Sequence, residues 1–443
     1  MDYFPLAYVA GASAAIAQKV HKYVPNPFID ERFHLTQCAA YCAHRFSEWD
    51  NKITTPPGLY ILGTAYSHAL QLIGIQESCS ATALRSLNLL GGLVILPYVL
   101  SLLNSRNFWS VNVVSLPLLY TYYFLFYTDV WSTIFVVAGI VSVVRMPNMK
   151  GALLCNGLGF MGLWFRQTNI IWIAFGAAVL IEKRCARRST LAGQTIEFFT
   201  QCFKGIHLLV PFGVNAALFM AFIRYNGGIT FGDKLNHQVS LHLVQVFYCW
   251  TFVGGLTLPL WFNRQTMRDY FKFSFGKYGI CLIPTVLTFF AIHWIVTNFT
   301  IVHPFLLADN RHYTFYIYRR ILSKPIAKYL VVPVYHFFTW LIPYVLLKNS
   351  PSNPVKLSYV GVLAFIVSTI LTIIPSPLFE PRYYIVPLVL FRIFSQPFVM
   401  GAQRKVHYQE FVWYLFINAV VYIVFFSYEF TWVTEVGKQR IIW

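Results

Sequence analysis

Long apolar segments alternate with short polar loops along nearly the whole chain. The longest apolar run, Val111 to Val144, contains one charged residue, Asp129. A membrane-spanning helix needs about 20 apolar residues, and a soluble helical core would not leave runs of this length. The pattern therefore predicts an all-α polytopic membrane protein with roughly 12 to 14 transmembrane helices. The candidate spans are Tyr3 to Val20, Leu59 to Ile75, Leu84 to Leu103, Phe108 to Tyr127, Val130 to Val144, Leu153 to Phe165, Ile170 to Ile181, Gly205 to Ile223, Leu241 to Phe262, Ile280 to Val296, Ala327 to Leu347, Leu357 to Ile374, Tyr383 to Phe394 and Phe411 to Phe426.

The first polar loop, residues 25–58, carries an amphipathic element of its own. Apolar residues recur at nearly helical spacing over Ile29–Phe46, which predicts a helix lying on the membrane surface. The Pro-Pro-Gly sequence that starts at Pro56 ends this element and begins the next span. The segment before the loop lacks a cleavage site and is interpreted as an uncleaved signal anchor. Because no repeat or flexible linker interrupts the chain, we expect one membrane-embedded domain over residues 1–443.

Composition narrows the class further. Only 11% of the 443 residues are charged, against roughly 25% in soluble domains. The 34 Lys and Arg outnumber the 16 Asp and Glu, which in a polytopic protein indicates basic cytoplasmic loops. The sequence has no basic helix with interleaved aromatic residues, which argues against a nucleic-acid partner. The eight cysteines are scattered; Cys38 and Cys42 lack metal-ligand spacing and are interpreted as small buried apolar residues.

The basic loops conflict with strict alternation of the predicted spans. If the loop at Asp30 is luminal, alternation places Lys183–Arg188 on the luminal side, although this cluster is the clearest cytoplasmic marker in the chain. Either one short segment before Phe108 or the stretch Phe108 to Val144 itself is therefore expected to be miscounted. If Lys183–Arg188 is cytoplasmic instead, a glycosylation sequon at Asn298 falls on the opposite, luminal face. The loops that share that face are Tyr225 to Ser240, Thr297 to Lys324 and Ser376 to Arg382.

Polar residues cluster at the ends of the predicted spans. Four of the 16 carboxylates lie in the first loop, at Asp30, Glu31, Glu48 and Asp50. Ionisable groups at membrane depth are costly unless they face a cavity or a partner, which makes them functional candidates. For any single cluster, a solvated loop or an interhelical contact is the alternative. The later clusters are Arg166 to Asn169, Phe231 to His237, His303 to Tyr313 and Phe379 to Tyr384.

An acidic loop and several cations beside a bilayer fit the transfer of a sugar from a lipid phosphate. The leaving phosphate is a weak base, so it needs cationic stabilisation rather than a proton. The acceptor hydroxyl must lose its proton as the new bond forms, and a single carboxylate can act as the general base. Direct displacement then inverts the anomeric centre. Asp30 or Glu31 would be the base, and the cations would hold the phosphate, a role that suits the fixed donors of arginine.

Several of these motifs, taken in order, resemble one enzyme family. They are Asp30-Glu31 after the first span, the block Trp49 to Tyr60, Phe165 to Asn169, Gly232 to Lys234 followed by His237, Ala308 to Tyr313, and Pro381 to Tyr384. Together they resemble the dolichyl-phosphate-glucose-dependent alpha-1,2-glucosyltransferases of the endoplasmic reticulum over nearly the whole chain. The resemblance implies a type C glycosyltransferase fold in the endoplasmic reticulum membrane, with the active site facing the lumen.

The resemblance also implies the reaction. Such an enzyme adds the third and last glucose to the lipid-linked oligosaccharide used for N-glycosylation. The implied donor is β-linked dolichyl-phosphate glucose. The implied acceptor carries two glucoses, nine mannoses and two N-acetylglucosamines on dolichyl diphosphate. A β-linked donor and an α-linked product require inversion, and the family is metal-independent, so no cofactor is expected.

The resemblance assigns residues to roles as well. It places the catalytic carboxylate in the first luminal loop; Asp30 is favoured as the base, with Glu31 as the alternative that could instead pair with Arg32 or His34. The expected contacts to the donor phosphate and sugar are Arg166, Lys234, His237, Arg311, His312 and Arg382. The residues expected to position the acceptor or the loop are His34, Trp49, Asp50 and Lys52.

Three rival functions belong to other classes or use other substrates. A transporter would show related halves and midplane charges, whereas the polar motifs here lie at span ends and neither half resembles the other. A non-catalytic subunit of a glycosylation complex would not need Asp30 and Glu31 beside cationic motifs. Within the enzyme class, a different dolichyl-phosphate sugar is the nearest alternative, because residues suited to a phosphate and a dolichol chain do not indicate which sugar is transferred.

Overall fold

The chain folds almost entirely into helices in a computed structural model, which divides it into two compact units. Unit 1 comprises residues 1–237 and 358–368, and unit 2 comprises residues 238–357 and 369–443. The structure describes residues 3–75, 79–103, 109–186, 189–276, 281–348, 355–395, 403–432 and 437–443. Arg187, Arg188 and Phe108, which belong to the predicted basic loop and to one predicted span, lie outside these ranges.

Unit 1 consists of helices joined by short polar loops. Its helices are α1 (Tyr3–Tyr23), α2 (Glu31–Cys42), α3 (Gly58–Leu72), α4 (Ala81–Leu90), α5 (Leu96–Ser101), α6 (Trp109–Val114), α7 (Pro117–Thr121), α8 (Asp129–Arg145), α9 (Met149–Leu163), α10 (Asn169–Glu182), α11 (Leu191–Lys204) and α12 (Ile206–Asn226). A π-helical turn, Gly91–Ile95, joins α4 to α5, and a 3-10 turn, Tyr122–Phe124, follows α7. Side-chain caps start several helices; Asn148, for example, accepts hydrogen bonds from the backbone at the start of α9.

The loops of unit 1 gather at two ends. At one end, which we term the polar end, the first loop bonds to the segments near Tyr127, Trp164 and Asp233. At the other, the basic end, Arg145 donates to the carbonyl of Leu102 and Arg184 donates to Pro147, 2.9 Å away. Carboxylate–guanidinium pairs occur at the polar end, whereas Arg145 and Arg184 at the basic end donate to backbone carbonyls.

The predicted span Leu59 to Ile75 is wrong as a membrane crossing. Its helix, α3, has 15 residues and is not among the helices long and apolar enough to cross a bilayer. At its start, Gly58 N donates to the carbonyl of Trp164 at 2.8 Å. After its end, a disulfide ties Cys79 back to Cys42 at the end of α2. Because the chain enters and leaves α3 beside the same first loop, this helix does not change the face of the membrane.

The predicted span Phe108 to Tyr127 is broken rather than continuous. It contains α6, α7 and the 3-10 turn, separated near Pro117, and nearly every described side chain in it is buried. Proline lacks the donor that a continuous helix requires, so the helix restarts at this residue. The helix predicted over Ile29–Phe46 is confirmed over Glu31–Cys42 as α2, but the buried residues of α2 include the polar Glu31, His34 and Gln37, so its amphipathic character is not confirmed. Its position on the membrane surface stays a prediction. The sequence did not predict α11, whose exposed apolar residues include Phe199 and Phe203.

Unit 2 is also mainly helical. Its elements are α13 (Gln245–Leu256), α14 (Leu258–Trp261), α15 (Arg264–Phe275), α16 (Leu282–Asn298), α17 (Pro304–Ala308), α18 (Tyr313–Ile317), α19 (Ala327–Leu347), α20 (Tyr359–Ile373), α21 (Ile385–Phe394), α22 (Gln403–Ser427), β1 (Glu429–Thr431) and β2 (Lys438–Arg440). The first residues of α20 belong to unit 1. A π-helical turn, Tyr318–Leu322, extends α18, and a 3-10 turn, Pro381–Tyr384, precedes α21. Strands β1 and β2 pair antiparallel, with Phe430 opposite Gln439.

Unit 2 likewise has a polar end where its loops meet. His242 N donates to the carbonyl of Ile374 at 3.2 Å, and Ile442 N donates to Arg311 at 2.7 Å. Burial lowers the pKa of His242 to about 4, so its ring is neutral near pH 7 and acts as a structural group of this end.

The prediction of an all-α polytopic membrane protein is confirmed. Among the described residues, four helices are long and apolar enough to cross a membrane, and three shorter apolar helices accompany them. The four are Ala81–Ser101, Ile206–Asn226, Ala327–Leu347 and Lys405–Ser427. The predicted number of 12 to 14 spans and the single domain remain predictions.

Candidate active site

Glu31 is the most completely bonded carboxylate of the first loop. It is fully buried and accepts from Arg85 Nε at 2.7 Å and from Arg85 Nη2 at 2.6 Å. The backbone amides of Phe28 and Phe126 also donate to it, at 3.0 and 2.9 Å. Four donors on two oxygens hold this carboxylate in a fixed position. Glu31 therefore joins the first loop to α4 and to the segment before α8.

Asp30 differs from its neighbour in burial and in surroundings. It is partly exposed and precedes α2, and its amide donates to the Tyr127 hydroxyl at 3.2 Å. That hydroxyl also donates to the carbonyl of Phe28 at 3.3 Å. Ile29, just before Asp30, has a φ of 51°, a left-handed conformation that is an outlier for a β-branched residue. Such strain persists only where the surroundings over-determine the backbone, as they do at functional sites.

Arg85 is a site residue that sequence reasoning missed. Besides Glu31, its guanidinium donates to the carbonyls of Val24 at 2.7 Å and Asn26 at 3.1 Å. It thereby closes the chain on both sides of the strained turn at Ile29. The available signal was a lone arginine inside an apolar span, because an ionisable group in such a place is a functional candidate by default.

His34 lies beneath the loop rather than at its surface. Its Nδ1 lies 2.8 Å from the Tyr60 hydroxyl, and its ring contacts Tyr60 and Tyr127. Neither Arg32 nor His34 is a partner of Glu31 in the contacts given above. Of the expected positioning residues, His34 is therefore the one that packs behind Asp30 and the Tyr127 hydroxyl.

Trp49, Asp50 and Lys52 shape the second half of the first loop. Trp49 contacts the rings of Tyr60 and Phe231, which brings in the loop after α12. The Asp50 carboxylate accepts from the backbone amide of Lys52 at 2.9 Å and thus makes a local turn. The Lys52 ammonium is exposed and lies 5.6 Å from the ring centre of Phe33.

The loop after α12 packs directly on this segment. Asp233 N donates to the carbonyl of Asn51 at 2.7 Å, and Phe231 N donates to Thr54 at 3.2 Å. Between them, a Cβ on Gly232 would lie 2.1 Å from the Asn51 oxygen, so only glycine allows this approach. This close backbone approach explains why the first residue of the Gly-Asp-Lys motif is glycine.

Lys234 and His237 follow in the same loop. The exposed Lys234 ammonium donates to the carbonyl of Asn226. His237 Nδ1 lies 3.4 Å from an oxygen of the Asp233 carboxylate. Both side chains therefore belong to the polar end of unit 1.

Arg166 pairs with a second carboxylate that the site prediction omitted. Its Nη2 donates to Asp129 Oδ1 at 2.7 Å, and Asp129 is almost completely buried. The other oxygen, Asp129 Oδ2, has no hydrogen-bond partner among the described residues. Next to Arg166, Gln167 Nε2 donates to the carbonyl of Thr54 at 2.6 Å. The signal for Asp129 was its position as the lone charge in a long apolar run.

An apolar groove of about 160 Å3 lies between α9 and α12, beside Gln167. Gln167 lies at one part of its wall, beside Trp164, and Phe222 and Phe231 line another. The groove holds almost no polar surface apart from that glutamine. Its chemistry fits a hydrocarbon chain whose polar head lies near Arg166.

The cysteines of the first loop have different roles. Cys42 forms a disulfide with Cys79, with Cα atoms 6.5 Å apart, so the interpretation of Cys42 as a plain apolar residue is wrong. Cys38 is completely buried, as predicted, and burial raises its pKa to about 12. The disulfide could not be read from Cys38 and Cys42 because its second member lies 37 residues further on.

The remaining predicted contacts, Arg311, His312 and Arg382, belong to unit 2. Arg311 forms an ion pair with Asp309 at 2.6 Å and stacks on the Trp432 ring, 4.4 Å from its centre. His312 Nδ1 lies 2.7 Å from the carbonyl of Trp443. Arg382 pairs with Glu380, two residues earlier in the chain. These cations are thus anchored to carboxylates or to the C-terminal strands.

No group of three or more His, Cys, Asp or Glu side chains able to hold a metal ion occurs in the part of the chain that the structure describes. The charged groups of the polar ends are instead arranged as carboxylate–guanidinium pairs. These pairs can supply fixed positive charge beside a carboxylate without a metal.

Fold and site together define a polytopic, mainly helical membrane protein with a carboxylate-containing first loop and basic side chains at its polar end. The chain belongs to the DIE2/ALG10 family, whose sequence profile matches residues 24–393. It is 46% identical over 441 residues to a Debaryomyces hansenii protein named Dol-P-Glc:Glc(2)Man(9)GlcNAc(2)-PP-Dol alpha-1,2-glucosyltransferase, with 95% of this chain and 94% of that protein covered.

Proteins of the same name in two other organisms are also similar. The identity is 42% over 430 residues for Candida albicans, covering 93% of this chain and 92% of that protein. It is 31% over 462 residues for Homo sapiens, covering 94% and 93%. No solved structure matches the chain.

Proposed function

We propose that this protein transfers glucose from dolichyl-phosphate glucose, in alpha-1,2 linkage, to the lipid-linked oligosaccharide that already carries two glucoses. The observation that carries the proposal is the 46% identity to a glucosyltransferase of that name over nearly the full length of both chains. The protein is a glucosyltransferase of the dolichol pathway. This step is the last in assembling the precursor for N-glycosylation.

Asp30 is the proposed general base. The acceptor hydroxyl oxygen attacks the anomeric carbon, the bond from that carbon to the phosphate oxygen breaks, and the hydroxyl proton passes to the Asp30 carboxylate. Glu31 is the less suitable base because four donors already occupy its oxygens. We assign Glu31 and Arg85 as positioning residues that hold the turn carrying Asp30.

The donor is proposed to bind at Arg166. The pair that Arg166 forms with Asp129 sets the orientation of its guanidinium, and a phosphate there would gain charge-assisted hydrogen bonds. The apolar groove beside Gln167 suits the isoprenoid chain of the same donor. Lys234 and His237 belong to the same polar end and add further hydrogen-bond donors. Contacts of Arg311, His312 and Arg382 with the donor stay a prediction of the sequence.

We place the polar ends on the luminal face of the endoplasmic reticulum membrane. Once α3 is removed as a crossing, alternation from a luminal first loop puts Arg145, Lys183 and Arg184 in the cytosol, as the positive-inside rule expects. The disulfide of Cys42 and Cys79 supports the same orientation, because disulfides persist in oxidising compartments. The loops 225–240, 297–324 and 376–382 are proposed to be luminal as well, because alternation from a cytoplasmic Lys183 assigns them to that face.

Purified protein in detergent, supplied with dolichyl-phosphate glucose and the diglucosylated lipid-linked oligosaccharide, tests the proposal. We expect the acceptor to gain one hexose in alpha-1,2 linkage, read from product mass and linkage analysis. Parallel reactions with dolichyl-phosphate mannose control for the sugar. No transfer from either donor, with intact substrates and monodisperse protein, would refute the proposal, whereas transfer of mannose alone would change the donor.

A further inference from the structure

Unit 2 holds a cavity of about 310 Å3 that the proposed transfer site does not use. It lies where α16 ends and α19 begins. The hydroxyl and ammonium groups of its wall come from Tyr248, Thr297, Thr300, Tyr318, Ser323, Tyr335, Lys324 and Lys328. Of these, the Thr300 and Ser323 hydroxyls donate to backbone carbonyls of their own segments. No carboxylate is among the described residues that line it. Ammonium and hydroxyl donors without an acid around them form an anion-binding surface.

The cations of this cavity belong to a longer basic segment. Residues 313–328, which we term the basic segment, contain four cations, Arg319, Arg320, Lys324 and Lys328, and no Asp or Glu. Arg319 and Arg320 lie over aromatic rings of their own segment, at 5.6 and 5.9 Å from the ring centres. None of the four forms an ion pair with a carboxylate within the ranges that the structure describes. Their charge therefore has no carboxylate partner among the described residues.

The location of the basic segment makes this charge unusual. Tyr248 of α13 lines the cavity and lies one turn after Gln245. The side-chain amide of Gln245 donates to the carbonyl of Leu378 at the polar end of unit 2. On the proposed topology that end is luminal, where short loops are poor in Lys and Arg. Four cations without carboxylate partners among the described residues are unusual on the luminal side under the positive-inside rule. A bound anion would neutralise part of their charge.

The surface around the cations is apolar. Ile321, Ile326 and Leu330 are exposed by 56%, 62% and 63%. They flank Lys324 and Lys328 at the start of the span Ala327–Leu347, which is the depth of the bilayer interface. Apolar surface beside cations at this depth suits a ligand whose phosphate is attached to a membrane-embedded chain.

We propose that this cavity binds the diphosphate of the lipid-linked acceptor. The inference rests on the proposed function. The donor phosphate is bonded to the reacting carbon and must lie at the transfer site, whereas the acceptor diphosphate is separated from its terminal glucose by the whole oligosaccharide. Two ammonium groups and several hydroxyls match two linked phosphates better than one. The site would hold the acceptor by the feature common to every dolichyl diphosphate.

A direct binding experiment distinguishes a diphosphate ligand from other lipid phosphates. Farnesyl diphosphate, farnesyl monophosphate and phosphatidylserine are titrated onto the detergent-purified full chain by native mass spectrometry. We expect the diphosphate to bind roughly tenfold tighter than either of the others, and Lys324→Gln with Lys328→Gln to weaken it roughly tenfold or more. Lys272→Gln, at an exposed lysine of α15 that does not line the cavity, is the matched control. Equal binding of monophosphate and diphosphate, tighter binding of phosphatidylserine, or an unaffected double variant would overturn the proposal.

Transfer kinetics provide the second readout. In the double variant we expect the KM for the oligosaccharide acceptor to rise roughly tenfold while the KM for dolichyl-phosphate glucose stays constant. A rise confined to the donor KM would reassign the cavity to the donor and overturn the proposal. If wild-type protein transfers no glucose, the proposed function fails, and the binding experiment still decides the diphosphate site. A melting temperature equal to that of wild type shows that the double variant is folded.

Discussion

Glu31 and Lys324 are both charged groups at the polar end of a unit, but their surroundings differ completely. Glu31 is fully buried and has four hydrogen-bond donors, whereas Lys324 is exposed and lies in a basic segment without a carboxylate. The first charge is used inside the protein to hold a strained loop. The second is available to a ligand. We therefore expect the Glu31 charge to contribute mainly to stability and the charge of the basic segment to contribute mainly to binding.

Removing the partner of Glu31 is the strongest way to break this comparison. Arg85→Ala leaves a buried carboxylate unpaired, so we expect the free energy of unfolding to fall by about 3–5 kcal/mol. Thermal or denaturant unfolding in detergent measures the change. Arg45→Ala is the control, because Arg45 and Glu48 form an exposed pair that contributes less than about 1 kcal/mol. Equal losses in the two variants would contradict a structural role for Glu31.

The disulfide between Cys42 and Cys79 is a second link that holds the first loop, and its removal tests how much that link stabilises the protein. Replacing Cys42 and Cys79 by serine should lower the free energy of unfolding by about 2–4 kcal/mol, because the unfolded chain gains the entropy of an open loop. Reductant should destabilise the wild type and leave the double variant unchanged. Cys185→Ser, at a free thiol, should have little effect. Reductant-insensitive melting of the wild type would remove the disulfide from the account.

Arg382 tests whether an ion-paired cation of unit 2 also binds substrate. Arg382→Ala should raise the KM for dolichyl-phosphate glucose roughly tenfold through loss of a charge-assisted contact. The acceptor KM should not change. Glu380→Gln, which removes the partner of Arg382, separates loss of the pair from loss of the phosphate contact. An unchanged donor KM in Arg382→Ala would count against that contact.

A chelator is expected to have no effect on turnover. Guanidinium and ammonium groups can supply the positive charge that the leaving phosphate needs, so EDTA is expected to leave turnover unchanged. The measurement compares the initial rate before and after dialysis against EDTA. If turnover falls and added Mg²⁺ or Mn²⁺ restores it, metal-free catalysis is refuted.

Some of this organisation was predictable from the sequence. The helix α2, the acidic first loop and the polar residues at span ends follow from local patterns of apolar and charged residues. Pairs such as Asp309 with Arg311 lie two residues apart and could be anticipated from spacing. Apolar length was misleading for α3, because hydrophobicity does not distinguish a crossing helix from one that returns to the same face.

The decisive contacts of the site were not predictable. Glu31 and Arg85 are 54 residues apart, and Asp129 and Arg166 are 37 apart. No local rule connects such residues, since folding alone brings them together. From the residues alone either Asp30 or Glu31 could be the base, and the family resemblance favoured Asp30. The four donors on the buried Glu31 carboxylate support the same proposal.

The most direct test compares conservative variants of these two neighbours. Asp30→Asn keeps the shape of the side chain but cannot accept the proton, so turnover should fall about 100-fold or more with the melting temperature unchanged. Glu31→Gln should lower the melting temperature, because it removes the charge that pairs with Arg85. Glucose transfer is measured at equal amounts of folded protein. Near-normal turnover in Asp30→Asn would contradict the assignment of Asp30 as the base.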